Sequence, residues 1–179
     1  MRLFIAALLP EDIKRRISDY INGLKPDIEG VKWEKPDKLH VTLKFLGEVD
    51  DTKLAQINNT LESLYRKQSP FKMSITRFGG FPGLRSPRVL FVGLSENEEL
   101  SKLHTEIQEQ LSTLGFQTDS RKFIPHVTIG RVKKKFGIKD TLPLPEKTAF
   151  EIRKIGVIKS ELNKGGSVYT PVELFDLGG

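Results

Sequence analysis

One four-residue pattern occurs twice in this sequence. His-Val-Thr-Leu begins at His40 and His-Val-Thr-Ile begins at His126. The two histidines stand 86 residues apart, close to half of the 179-residue chain, and the chain contains only three histidines in all. A repeat of this kind predicts two halves of similar structure, related by a pseudo-twofold axis.

Both copies lie in segments that have the apolar pattern of β-strands. Successive side chains of a strand point to opposite faces, so His40 and Thr42 should share one face, and His126 and Thr128 the corresponding face of their own strand. The aliphatic residues between them then anchor each strand in the core. Under a pseudo-twofold axis, the two His/Thr pairs converge on one cleft.

Two converging imidazoles suit proton transfer without a metal ion. Histidine has an ordinary pKa near 6.5, so one ring can act as a general base and the other as a general acid. Threonine hydroxyls and the Arg131 guanidinium suit the binding of phosphoryl oxygens. Strict alternation places Arg131 on the opposite face, so we expect it at the strand end. Lys44 should lie on the face of His40. Together, the two His/Thr pairs and the nearby cations predict a site that binds and cleaves a phosphoester.

The remaining pattern predicts an α+β protein with antiparallel sheets and helices packed on one side. Helical periodicity follows Pro10, Asp51 and Asn97. Strands are expected over residues 3–9, 31–33, 39–46, 71–78, 88–94, 123–132, 150–160 and 168–175, with a turn-rich loop over residues 79–87. No linker-like segment divides the chain, so its length predicts one domain.

Composition narrows the classes further. The chain has no cysteine, which excludes disulfides, a thiolate nucleophile and Cys-ligated zinc, and a cytoplasmic location is expected. No run approaches the roughly 18 to 20 apolar residues of a membrane-spanning helix, so no membrane association is expected. The net charge of +6 and the isoelectric point near 9.5 favour polyanionic partners such as nucleic acid.

The sequence resembles the 2H phosphoesterases, and within them the RNA 2′,3′-cyclic phosphodiesterases, also called 2′–5′ RNA ligases. That family is defined by two His-x-Thr motifs, each followed by an aliphatic residue, and both are present here. The resemblance extends to Arg131 after the second motif and to four flanking segments. These are residues 2–6, residues 43–47, Phe81-Pro82 and residues 87–90.

The resemblance implies one bilobal domain over residues 1–179, with two antiparallel sheets, outer helices and a central cleft. It implies hydrolysis of RNA 2′,3′-cyclic phosphate ends, tRNA-derived ends among them, to 2′-phosphates without metal or other cofactor. His40 is the implied acid and His126 the implied base, and Thr42, Thr128 and Arg131 would hold the phosphoryl oxygens. Reversible 2′–5′ RNA ligation is a further implied activity, and we expect a monomer.

Two alternatives stay open at this point. The same site could act on another cyclic or 2′,5′-linked nucleotide, or the chain could be a non-catalytic basic RNA-binding module. Lys44 and the run Lys133, Lys134 and Lys135 are the candidate RNA contacts. Aromatic residues are candidates to stack a base, and among them we expect Phe45 in the core because it has the parity of Val41 and Leu43. The remaining candidates are Trp33, Phe81 and Phe123.

Overall fold

The computed structural model describes residues 1–134, 138 and 142–178. Within these residues the chain forms nine β-strands and three α-helices. The strands are β1 Arg2–Leu8, β2 Val31–Trp33, β3 His40–Glu48, β4 Phe71–Phe81, β5 Val89–Leu94, β6 His126–Val132, β7 Ala149–Ile152, β8 Lys154–Asn163 and β9 Gly166–Asp176. The helices are α1 Glu11–Leu24, α2 Asp51–Tyr65 and α3 Glu98–Ser112. None of them is long and apolar enough to cross a membrane.

The strands form two antiparallel sheets, which make the two lobes of an α+β fold. The first sheet has the order β3-β1-β8-β9 and the second has the order β2-β6-β5-β4-β7. Each histidine strand pairs with the strand that precedes a helix, since β3 pairs with β1 before α1, and β6 pairs with β5 before α3. The predicted α+β class and bilobal arrangement are therefore confirmed.

The helices cover the sheets with the apolar faces that their periodicity predicts. In α1 the buried residues are Ile13, Ile17, Ile21 and Leu24. This helix follows β1 of the first sheet but lies against the second, where Ile17 lines a groove with Ile75 and Val92. Conversely α3, which follows β5 of the second sheet, contacts β3 of the first. Helices α1 and α3 therefore each pack on the sheet that does not contain the strand before them.

Three predicted segment boundaries are wrong, the simplest being the strand expected from residue 123, which begins at His126. The strand expected over residues 150–160 is divided at Arg153, because β7 pairs with β4 in the second sheet while β8 pairs with β1 in the first. The chain crosses from one lobe to the other at that point. The loop expected from residue 79 begins later, because β4 continues through Gly79 and Gly80 to Phe81 and pairs with β5.

Candidate active site

The first histidine strand contains a β-bulge directly after the His-Val-Thr motif. Thr42 pairs with Ala6 and Lys44 with Ile5, so Leu43 is an extra residue opposite β1. A bulge of this type shifts the alternation by one position. His40 and Thr42 therefore share a face with Phe45 instead of with Lys44.

The second histidine strand carries the same irregularity at the equivalent residue. Thr128 pairs with Phe91 and Gly130 with Leu90, which leaves Ile129 as the extra residue. The shift places Arg131 on the face of His126 and Thr128. Arg131 lies next to the last residue of β6, near the strand end as expected, but it reaches this face through the bulge and still pairs with residues of β5 and β2.

The ring of His40 is held in one orientation and one tautomer. Its Nδ1 lies 2.7 Å from the carbonyl oxygen of Lys38, which can only accept, so Nδ1 carries the proton in the neutral ring. The hydroxyl of Thr42 then donates to Nε2 over 3.0 Å. The pKa of His40 is lowered to about 4, mainly by burial; the bond to Lys38 opposes this, and the positive charges of His126, Arg131 and Lys14 contribute to the lowering.

His126 is oriented in the same way by its own strand. Its Nδ1 donates to the carbonyl oxygen of Ile124 over 2.7 Å. The rings of Phe81 and Phe91 flank the imidazole edge-on, with centroids 5.0 and 5.3 Å away. Burial lowers the pKa of His126, the bond to Ile124 opposes this, and the charge of Arg77 adds to the lowering.

The two motifs face a common cleft. Strands β3 and β6 contact each other between the lobes, and the charges of His126 and Arg131 are close enough to lower the pKa of His40. Tyr169 of β9 lies edge-on to the His40 ring, with centroids 5.5 Å apart. Since β9 and β3 are the two edge strands of the first sheet, that sheet must curve around the face that carries His40.

Two residues on the cleft faces were not selected from the sequence. Arg77 lies over the Phe91 ring, with Cζ 4.9 Å from its centroid, because a bulge at Thr76 shifts the alternation of β4. Tyr169 contacts both His40 and Phe4. Neither had a signal in the sequence, since Arg77 has the parity of the core residues of its strand and Tyr169 lies 129 residues from His40.

Lys44 was expected on the face of His40, and this is wrong. The bulge at Leu43 turns Lys44 toward the core, where it is only 5% exposed. Its ammonium group donates to the side chain of Gln108 on α3 and to the carbonyl oxygen of Gln117. Lys44 therefore links the two halves of the chain and cannot reach an RNA phosphate in the cleft.

The lysine run after β6 is only partly described. Lys133 and Lys134 are exposed, and their amides donate to the carbonyl oxygen of Gly30 over 2.7 and 3.3 Å. Lys135 lies outside the described residues. Across the described part of the chain, no three His, Asp or Glu side chains converge in a way that could hold a metal ion.

The aromatic candidates lie in different places, with Phe45 and Phe81 on the cleft side and Phe123 beside α3. Phe45 was expected in the core, and this is wrong, because it is 70% exposed and lies beside Phe4 on the cleft face, with ring centroids 6.1 Å apart. Phe81 lies against His126. Phe123 instead stacks on His104 of α3, with ring centroids 4.2 Å apart.

Comparison with known proteins follows the same division into halves. The family described as LigT like Phosphoesterase matches residues 8–91 and matches residues 92–169 separately. The chain belongs to this family, and the resemblance to the 2H phosphoesterases is confirmed. As a member, it is a hydrolase that acts on phosphodiester bonds.

Individual relatives cover nearly the whole chain. An RNA 2′,3′-cyclic phosphodiesterase of Archaeoglobus fulgidus is 36% identical over 98% of this chain and 100% of its own. An enzyme of the same name from Methanocaldococcus jannaschii is 37% identical over 97% of this chain and 99% of its own. Among solved structures, a Thermus thermophilus protein superimposes with a TM-score of 0.88 at 29% identity, over 100% of this chain and 99% of its own. Apo LigT of Escherichia coli superimposes with a TM-score of 0.85 at 27% identity, over 99% of this chain and 98% of its own.

Proposed function

We propose that this protein hydrolyses RNA 2′,3′-cyclic phosphate ends to 2′-phosphate ends, with His40 and His126 as general acid and base. The observation that carries the proposal is the pair of backbone-oriented imidazoles in one cleft, where each Nδ1 is bound to a carbonyl oxygen. Relatives that match almost the entire chain bear the name of this activity. A solved structure of Escherichia coli LigT contains 3′-AMP, a nucleotide with a terminal phosphate.

In the proposed reaction a water oxygen forms a bond to phosphorus and the bond from phosphorus to O3′ breaks. The base removes the proton of the attacking water, and the acid supplies a proton to the departing O3′. The bond to O2′ is retained, so the product is a 2′-phosphate with a free 3′ hydroxyl. Nothing is oxidised or reduced, and the scheme needs no cofactor or metal ion.

The remaining site residues are proposed to bind the phosphoryl group. Thr42 and Thr128 lie beside their histidines on the cleft faces. The Thr128 hydroxyl is a donor without added charge, and the Thr42 hydroxyl becomes free to donate when His40 takes up its proton at Nε2. Arg131 brings a guanidinium, whose fork of donors matches two phosphoryl oxygens. These contacts strengthen as negative charge builds up on the phosphoryl oxygens during attack, so they favour the transition state.

We assign His126 as the base and His40 as the acid, as the family resemblance implies. The lowered pKa of His126 keeps its ring neutral and able to accept a proton at neutral pH. With its pKa near 4, His40 must gain its proton when substrate binds. The anionic cyclic phosphate supplies the reason, because a negative charge beside a partly buried imidazole raises its pKa.

The deciding experiment identifies the product of an RNA oligonucleotide that ends in a 2′,3′-cyclic phosphate. We expect a 2′-phosphate, unchanged by a metal chelator. His40→Asn and His126→Asn should each lower kcat by about 10²- to 10⁴-fold, since asparagine keeps a donor near Nδ1 but cannot transfer the proton. His104→Gln is the matched control and should retain activity. Wild-type turnover in either cleft variant would refute the two-histidine scheme.

A substrate panel tests the related activities. Reversible 2′–5′ ligation would join a 2′,3′-cyclic end to a 5′ hydroxyl end, and small cyclic or 2′,5′-linked nucleotides would compete at the same site. The alternative of a non-catalytic RNA-binding module is not favoured, because the chain belongs to a phosphoesterase family.

We further propose that residues 1–179 act as one bilobal domain and as a cytoplasmic monomer, with tRNA-derived ends among the substrates.

A further inference from the structure

A row of basic side chains continues from the candidate site to the edge of the second sheet. Lys32 lies on β2, the edge strand, and pairs directly with Arg131 on β6. Paired residues of antiparallel strands project from the same face. Lys32 therefore shares the cleft face with Arg131 and His126.

A second lysine joins this row where the two lobes meet. The β8–β9 hairpin of the first sheet reaches across to β2, and the Gly165 carbonyl oxygen accepts a long hydrogen bond of 3.5 Å from Lys32. A Cβ built at Gly166 would lie 2.6 Å from Nζ of Lys32 and 3.9 Å from Nζ of Lys38. Both ammonium groups therefore converge on the hairpin tip.

Lys38 adjoins the site through its backbone, and in the part of the chain that the structure describes neither ammonium group forms an ion pair. The carbonyl oxygen of Lys38 is the acceptor that orients His40. Within the described ranges, neither Lys32 nor Lys38 has a carboxylate within 4.0 Å, and the nearby Glu34 lies 3.5 Å from Nε of Arg131 instead. Two ammonium groups held together repel each other, and an anion between them would relieve that repulsion.

We propose that Lys32 and Lys38 bind the sugar-phosphate backbone of the RNA strand upstream of the reacting end. The inference rests on the proposed function and extends it to the length of the substrate. A cyclic phosphate terminates the 3′ end, so the rest of the strand must leave the cleft, and each linking phosphate carries one negative charge. Contacts of this kind are independent of base sequence. The enzyme should therefore prefer RNA strands to mononucleotides.

The test compares kcat/KM for a cyclic-ended oligonucleotide of about eight nucleotides with kcat/KM for 2′,3′-cyclic AMP. Lys32→Gln and Lys38→Gln should each lower the ratio of these values roughly fivefold, through a higher KM for the oligonucleotide. The slope of log(kcat/KM) against log salt concentration for the oligonucleotide should become shallower by about 0.7 per lysine removed. A residue that only supports the hairpin would change neither the ratio nor the slope.

Lys102→Gln is the charge-matched control, because Lys102 is exposed on α3, on the side of the first sheet opposite His40. We expect it to leave the ratio unchanged. If the wild-type enzyme processes both substrates but the ratio is the same in all three variants, the inference is overturned while the proposed function stands. If the wild-type enzyme processes neither substrate, the proposed function itself fails, and the inference with it.

Discussion

At the scale of single residues, the environment of His40 determines how the site responds to pH. The ring is largely buried, its Nδ1 proton is committed to the Lys38 carbonyl, and its neighbours on the cleft side are cations. Burial and the cations favour the neutral ring, whereas the bond to the Lys38 carbonyl oxygen favours the protonated ring. His126 shows the same combination of burial and a nearby cation, Arg77.

The first prediction concerns catalysis. Because the pKa values of both histidines lie below 6.5 in the free enzyme, kcat/KM should be highest below pH 6.5 and should fall as pH rises further. The kcat profile should lie at higher pH, because the bound phosphate raises both pKa values. Steady-state kinetics from pH 4 to 9 measure both profiles, and a kcat/KM optimum above pH 7 would contradict the prediction.

The second prediction concerns stability. The folded chain binds a proton at His40 only near pH 4, while the unfolded chain binds it near 6.5. The contribution is therefore present above pH 6.5 and is lost as pH falls toward 4, by roughly 3 kcal/mol in total. Urea unfolding at pH 7 and pH 4.5 should show a smaller pH-dependent loss for His40→Gln than for wild type. Equal losses in the two proteins would argue against a buried neutral His40.

The third prediction concerns Phe45, whose exposed ring lies near the reacting groups. The Phe4 ring lies 4.9 Å from His40 and 6.1 Å from Phe45, so the outer two rings are at most the sum of these distances, about 11 Å, apart. We expect Phe45 to stack the terminal base, so Phe45→Ala should raise KM about tenfold with kcat little changed.

Phe45→Trp should restore the low KM, since any aromatic face can stack a base. Leu144→Ala is the control for loss of an exposed apolar side chain, because Leu144 is 79% exposed. Neither alanine variant should lose much thermal stability. A KM unaffected by Phe45→Ala would exclude stacking at this position.

At the scale of elements, the bulges explain what the sequence could and could not predict. The two motifs and their faces follow from strand alternation, and His40, Thr42, His126 and Thr128 lie on the cleft faces as expected. Beyond Leu43 and Ile129 the alternation shifts. A bulge has no reliable signature in a single sequence, so Lys44 and Phe45 were assigned to the wrong faces, and strict alternation assigned Arg131 to the wrong face as well, although its position near the strand end was predicted.

The fourth prediction concerns Gly130 of β6, which lies directly against side chains of β2. A Cβ at Gly130 would lie 2.6 Å from Cγ1 of Val31 and 3.1 Å from Cε3 of Trp33. Gly130→Ala should therefore lower the free energy of unfolding by about 1–3 kcal/mol. Gly23→Ala is the control, because nothing lies within 4 Å of that position in α1, and it should raise stability by about 0.5–1 kcal/mol. Chemical denaturation measures both, and equal effects would contradict the close packing at β2.

At the scale of the whole molecule, the duplicated motif predicted two similar halves, and the α+β class followed from the order of strands and helices. The sequence could not show which sheet each helix covers, because that depends on contacts between distant residues. Nor could it show that residues 149–163 divide between the lobes, since apolar residues occur on both sides of Arg153 and nothing in them marks a change of sheet.

The fifth prediction follows from the shared packing. The main cluster of buried apolar residues contains members from both sheets and all three helices. We therefore expect one cooperative unfolding transition, because neither lobe keeps its core when the other unfolds. Trp33 fluorescence reports the second sheet and far-ultraviolet circular dichroism reports the helices. The two probes should give coincident curves, and separate midpoints would mean that the lobes unfold independently.

The exchange of α1 and α3 also limits how such a chain could be divided. A fragment that carries one motif alone would lose part of this packing, because α1 lies against residues of both β4 and β5, and β3 packs against α3. Two copies of such a fragment could cover their exposed apolar surfaces by exchanging helices, as in a domain-swapped dimer. Separating the two motifs without such an exchange would therefore leave part of the apolar core of each sheet uncovered.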